Sequence, residues 1–177
     1  EDEDWKDVKI EEDDDTTKIT KPWDDFLHSN IDYLCDSTKI NMTILGLINE
    51  PLSGSKAHRI YFPLQQLKAN FSTKLTEQLC KDYNIIWLNR YIDVQPWAIA
   101  LWKEKYGFKL VFDMDDSWEV PQTNPSYLSQ KEIEPYSKDL CLLADWVTVT
   151  TTELEREVRQ FNDNVTVIPN RIPYGEG

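Results

Sequence analysis

Short, continuous apolar runs alternate with helix-length segments through most of this chain, and that alternation constrains the fold more than any other feature. The runs are "INMTILGLI" (40–48), "NIIWLN" (84–89), "KLVFDM" (109–114), "DWVTVTT" (145–151) and "NVTVIPN" (164–170). Between them lie "AHRIYFPLQQLKA", a helix broken or kinked near Pro63, and "WAIALWKEKYG", which has Pro96 at its first turn and a stop at Gly107. "SQKEIEPYSKDLCLLA" reads as mostly helical. Thr152 and Glu155 have capping-box spacing, and Leu154, Val158 and Phe161 form an apolar stripe on the helix they open. Strands without polar alternation are buried on both faces, so the expected class is α/β, with a mainly parallel sheet between helical layers. The run ending on Asp113 is expected to be the third strand.

Such a sheet needs a core, and composition supplies one. The chain has 177 residues and is 40% hydrophobic, enough for a single core. Seven Trp, eight Tyr and six Phe argue against a disordered chain. The net charge of −13 is uneven. Residues 1–15 carry ten acidic side chains against Lys6 and Lys9, giving −8 and leaving −5 for the rest. Residues 1–22 are therefore expected to be an acidic, flexible tail and 23–39 a lead-in, with 40–170 the folded domain. No basic stripe provides an electrostatic footprint for nucleic acid. No apolar run approaches the roughly 20 residues that span a bilayer, and the N-terminus is unlike a signal peptide. Cys35, Cys80 and Cys141 are odd in number and far apart, which suits reduced thiols and a cytoplasmic location. The sequons at Asn41, Asn70 and Asn164 are then read as chance matches.

In open parallel sheets, sites form beyond the carboxyl ends of the strands. Collected there are Asn49–Lys56 with His58 and Arg59, then Asn89 and Arg90, Asp113–Asp116, Thr150–Thr152, and Asn170 with Arg171. The densest of these is "LVFDMDDSW", where Asp113, Asp115 and Asp116 crowd one turn. The segment resembles the first motif of haloacid-dehalogenase-like phosphatases, with Asp113 as nucleophile, Asp115 as general acid/base and Mg²⁺ between them. It sits late in the chain for that family, and no later strand ends in an acidic pair. A D-x-D site for Mg²⁺ or Mn²⁺ with a nucleotide-sugar is a second reading.

A third follows from the neighbours. "LCLLADWVTVTTTELEREVRQFNDNVTVIPNRIP" resembles a stretch of glycosyltransferases of the GT-B fold, family-4 or group 1 type. Arg171 stands where their "V-x-V-I-P-N-G-I" pattern has glycine. "GSKAHRIYFPLQQL" is similar to their Gly-rich first loop and following helix, and "IIWLNRY" and "KYGFKLVFDMDD" to their next two strands. The resemblance covers about residues 40 to 173. It implies a Rossmann-like three-layer sandwich, the acceptor-side half of a two-domain enzyme. Residues 171–177 would begin the interdomain linker, and a C-terminal donor domain would be missing.

The same resemblance implies a sugar, glycan or lipid-linked acceptor, no cofactor or metal bound by this domain, and a nucleotide-sugar donor for the full-length enzyme. This chain alone is then expected to be inactive. Asp115 falls where many relatives carry a histidine near the reacting sugar and is the catalytic candidate; Asp116 falls on the aspartate that follows it. Gly54, Arg59, Arg90, Asp113, Asp116 and Thr150 are candidate substrate-binding residues. Arg59 and Arg90 are also candidate partners for the crowded aspartates. His58 reads as structural, Trp118 and Tyr127 as packing or sugar-stacking aromatics, and Asn170 as a hinge landmark. A binding module that kept the fold and lost catalysis is the remaining alternative.

Overall fold

The computed structural model describes residues 43–48, 52 and 54–170. The acidic tail, the lead-in, Cys35, Asn41, Asn49 and residues 171–177 lie outside these. Six strands form one sheet: β1 (Ile44–Leu47), β2 (Asn70–Ser72), β3 (Ile85–Asn89), β4 (Lys109–Met114), β5 (Trp146–Val149) and β6 (Val165–Val167). Every pairing is parallel and the order is β2-β1-β3-β4-β5-β6. This is the expected α/β class, a Rossmann-like three-layer arrangement. The chain leaves β1 for β2 on one side and returns to β3 on the other. The strand order therefore reverses between β1 and β3, where such sheets open a crevice.

Helix α1 runs in three pieces, Gly54–Lys56, Ala57–Tyr61 and Phe62–Gln66, the middle one wound as a wider π turn. The wide turn directly precedes Pro63, which has no N–H to offer the Arg59 carbonyl. So the interruption expected at Pro63 is a local widening rather than a break. It leaves Arg59, Ile60 and Leu64 buried on one side. Helix α2 (Glu77–Asp82) precedes β3, and α3 (Pro96–Tyr106) ends on Gly107 at φ 70°, the left-handed stop its sequence predicts. Helix α4 (Tyr127–Leu143) starts earlier than expected and runs through Pro135. Pro135 and Lys131 are both exposed, so the carbonyl deprived of its donor faces water. Helix α5 (Thr152–Val158) is capped by Thr151, whose hydroxyl accepts from the Leu154 N–H at 3.2 Å, one residue before the expected cap.

Two elements are additions to the sequence reading: β2 and α2. Consequently the "KLVFDM" strand is fourth along the chain, not third. β2 is a three-residue edge strand, "NFS", only partly buried, and its hydrophobic signal is correspondingly faint.

Side chains of the inner strands divide by parity. Leu45, Leu47, Ile86, Leu88, Leu110, Phe112, Val147 and Val149 face the layer containing Cys80, Ile99, Leu140 and Val158, contributed by α2 to α5. Ile44, Ile85, Trp87 and Val111 face Ile60 and Leu64 of α1. Gly46 lies on this second face. A Cβ there would meet the Phe71 ring at 2.9 Å and Leu64 Cδ1 at 3.0 Å. Gly46→Val is expected to destabilise the fold by about 1–3 kcal/mol through overpacking, read as a lower urea midpoint at unchanged slope.

Candidate functional site

Parity determines what stands at the end of the α1 face. Continuing Ile85, Trp87 gives Asn89; continuing Val111 gives Asp113; continuing Trp146 gives Thr148. Asn89 and Asp113 are register partners, as are Asp113 and Thr148, so three polar side chains line up across β3, β4 and β5. All three are completely buried. Arg59 comes down from the π turn of α1 onto this row. Its Nε donates to Asp113 Oδ2 at 3.1 Å and its Nη2 to Asp113 Oδ1 at 2.5 Å. Thr148 Oγ1 donates to Oδ1 at 2.6 Å and Asn89 Nδ2 to Oδ2 at 2.9 Å. The carboxylate thus accepts four hydrogen bonds, which stabilises its charge inside the sheet. Arg59 Nη1 also donates to the Ile168 carbonyl and, at 3.4 Å, to Asn170 Oδ1. One guanidinium therefore ties α1 and β4 to the segment leaving β6.

A second arginine organises the other two aspartates nearer the surface. Arg90 Nε and Nη2 donate to Asp115 Oδ1 and Oδ2 at 2.6 and 3.0 Å, and Nη2 also bonds Asp116. Asn89 Nδ2 reaches Asp115 Oδ1 at 3.2 Å, joining the buried and exposed clusters. Arg90 has φ 56°, a left-handed backbone that a residue with a Cβ adopts at a cost. Its side chain is 36% exposed, against 5% for Asp115. Thr150 donates through Oγ1 to the Asp115 carbonyl at 3.3 Å. So the crowded carboxylates are shared between two arginines, the partners the sequence nominated.

The other candidates separate clearly. Gly54 is exposed at the start of α1, and a Cβ there would meet nothing within 4 Å. His58 is half-buried against the Phe62 ring. Trp118 is buried, edge-on to Phe161 and beneath the Lys138 ammonium, and so packs rather than lines the rim. Ser117 Oγ donates to both Glu157 oxygens, at 2.9 and 2.7 Å, pinning the turn after β4 to α5. Burial raises the Glu157 carboxyl above its usual range, aided by the nearby Glu119 charge and opposed by the Ser117 bond. Among the described residues, no group of three His, Cys, Asp or Glu side chains is placed to hold a metal ion, and no helix is long and apolar enough to cross a membrane.

Sequence reasoning placed Lys56, Asn89 and Thr150 on this rim but gave the first two no role, and it passed over Thr148. For Asn89 and Thr148 the available signal was parity within the strand. Lys56, in the first turn of α1, is only 3% exposed. Burial lowers its pKa to about 8; the Arg90 charge acts in the same direction and Asp115 opposes both. Below pH 8 the folded lysine is charged at a cost. Between about pH 8 and 10.5 the unfolded chain binds the extra proton, so the Lys56 contribution to stability rises with pH. Cys80, Cys141 and Tyr136, each pushed up to about 12 chiefly by burial, act oppositely at high pH. The difference in unfolding free energy between the native protein and Lys56→Met isolates the lysine. That difference is expected to climb in favour of the native protein from pH 8 to 10.5; a flat difference would show that Lys56 titrates normally.

These features define an α/β protein with a polar site at the carboxyl end of a parallel sheet. No protein-family model matches the chain, and no curated protein matches it.

Proposed function

We propose that this chain is the acceptor-side domain of a GT-B-type glycosyltransferase, acting with a donor domain supplied by further residues of the same protein or by a second chain. The observation that carries this reading is the rim beside the β1/β3 crevice. There Arg90, Asp115 and Asp116 form a partly exposed cluster next to Lys56. A saccharide hydroxyl both donates and accepts, and this rim offers carboxylates and cations together. Asp115 is held in place by Arg90 and Asn89, with both carboxylate oxygens engaged. Its proposed role is therefore to orient an acceptor hydroxyl. Lys56 and Arg90 would oppose negative charge developing on the leaving diphosphate. The phosphatase alternative needs a reactive Asp113, whose two oxygens are both engaged in a buried network. The proposed acceptor is a sugar, a glycan or a lipid-linked acceptor, and the proposed location is the cytoplasm.

Calorimetric titration tests the division of labour. Uridine- and guanosine-diphosphate sugars are expected to bind this chain weakly or not at all; tight binding would contradict the acceptor-side reading. A chromogenic phosphate ester with Mg²⁺ should show no turnover. Turnover abolished by Asp113→Asn would establish the phosphatase instead.

A further inference from the structure

The two faces of the sheet are unequally covered. Helices α2 to α5 supply buried side chains to one face, whereas among the described residues α1 alone supplies helical side chains to the other. Helix α1 packs chiefly on β1 and β3. Packed helices stand roughly 8–10 Å apart and strands about 4.8 Å apart, so one helix covers about two strands. The width left on this face is that of a second helix, above β4 and β5. The side chains there are not those of a solvated surface. Val111, Asp113 and Thr148 are completely buried, and Trp146 is partly buried, its Nε1 donating across to Thr166 Oγ1 of β6 at 3.0 Å. All-parallel sheets occur almost only with both faces covered.

Residues 22–35, "PWDDFLHSNIDYLC", carry the pattern such a helix needs. Trp23, Phe26, Leu27, Ile31 and Leu34 recur at i, i+3, i+4, i+8 and i+11, one stripe interrupted only by Asn30. Asp24, Asp25, His28, Ser29 and Asp32 fall on the opposite side, and Pro22 with the two aspartates suits a first turn. We propose that residues 22–35 are the second helix of this layer, docked beside α1 with their apolar stripe on Val111 and Trp146. Where the chain enters the sheet sets the direction. Thr43 is tied at the amino end, its N–H and hydroxyl both donating to Asn84 Oδ1 at 3.1 Å, just before β3. Residues 36–42 reach at most about 24 Å and must cross roughly 10–14 Å to stand over β4 and β5. That leaves ample slack with residue 35 at the amino end of the sheet and almost none with it at the carboxyl end. Trp23 therefore lies toward Ile168, and residues 1–21, with their acidic block, leave at the rim that carries Lys56 and Arg90. The placement rests on packing and reach and is independent of the transferase reading. The exposed Trp97 and Leu101 of α3 form another apolar strip, but a segment lying there would leave β4 and β5 without their helix.

The experiment uses the full chain, ¹³C-labelled at leucine, isoleucine and valine methyls, and records nuclear Overhauser contacts by nuclear magnetic resonance. The Leu27, Ile31 and Leu34 methyls are expected to contact the Trp146 ring or the Val111 methyls, and the Trp23 ring to contact Ile168. Leu27→Ala and Leu34→Ala should each lower the urea midpoint by about 1 M, and Asp32→Ala, on the opposite side, by far less. Contacts with Trp97 and Leu101 instead would move the segment to α3 and overturn the docking. So would contacts with Trp146 seen only between differently labelled molecules, which make the occupant a second copy. Random-coil carbon shifts through residues 22–35, or equal midpoints for all three variants, would show that the segment adds no layer. Trp23 contacting Ile85 rather than Ile168 would reverse the direction and take residues 1–21 away from the rim.

Discussion

Asp113→Ala is expected to cost about 3–5 kcal/mol of stability, a large share of what a domain of this size possesses. The substitution removes the Asp113 carboxylate from a guanidinium that is 2% exposed, and strips Thr148 and Asn89 of an acceptor within the same buried row. Stranding a charge in the interior costs more than the pair contributes, because the desolvation penalty of Arg59 stays and its compensation goes. Asp113→Asn keeps the shape and loses the charge, and should fall between. Arg59→Met strands the carboxylate instead, but Thr148 and Asn89 still bond it, so its cost should be smaller than that of Asp113→Ala. The Arg59→Met/Asp113→Ala pair is expected to cost less than the sum of its two singles, as required of residues in one network. Urea unfolding at fixed pH measures all four. A loss below about 1 kcal/mol for Asp113→Ala would mean that water reaches Arg59 when the carboxylate is gone.

The sheet was legible in the sequence because its central strands are buried on both faces and carry no polar interruption until their ends. Ile85–Asn89 and Lys109–Met114 were found within a residue for that reason. β2 was not, since an edge strand of three residues gains little from apolar side chains and needs only backbone partners in β1. The cap of α5 slipped by one because three consecutive threonines, 150 to 152, offer equivalent hydroxyls, and only the extended backbone of Thr151 distinguishes it. At the site, opposite charges on a common rim were visible, so Arg59 and Arg90 were nominated for the aspartates. Which arginine takes which carboxylate was not visible. That depends on parity along β4, which sends Asp113 inward, and on the π turn that aims Arg59 at it. Lys56 was hidden for a different reason: nothing local distinguishes a buried lysine in a helix's first turn from a solvated one.

Arg90→Gln should show the opposite balance to Asp113→Ala, with little change in stability and a large loss of ligand recognition. Its partners Asp115 and Asp116 remain hydrated or otherwise bonded: Asp116 is 55% exposed, and Asp115 keeps Asn89 Nδ2. The exposed Arg90–Asp116 pair contributes roughly 0–1 kcal/mol and Asp115 keeps a hydrogen bond, so the unfolding midpoint should move far less than for Asp113→Ala. Recognition depends on geometry that glutamine cannot reproduce, since it replaces a planar fork holding two carboxylates with a single neutral amide. Saccharide binding by the intact protein, or transfer with its donor domain present, is expected to fall by about 100-fold, the scale of 2–3 kcal/mol for a lost charged hydrogen-bonding group. The backbone provides an internal control. At φ 56° glycine bears no Cβ penalty, so Arg90→Gly should be more stable than Arg90→Ala by about 1 kcal/mol while binding equally poorly. If both bound as well as the native protein, the Arg90 cluster would be a surface brace for the turn after β4, and the site would have to be sought elsewhere along the rim. If Arg90→Gln unfolded the domain, the strained backbone would be serving stability, and the separation between a buried structural pair and an exposed recognition pair would fail.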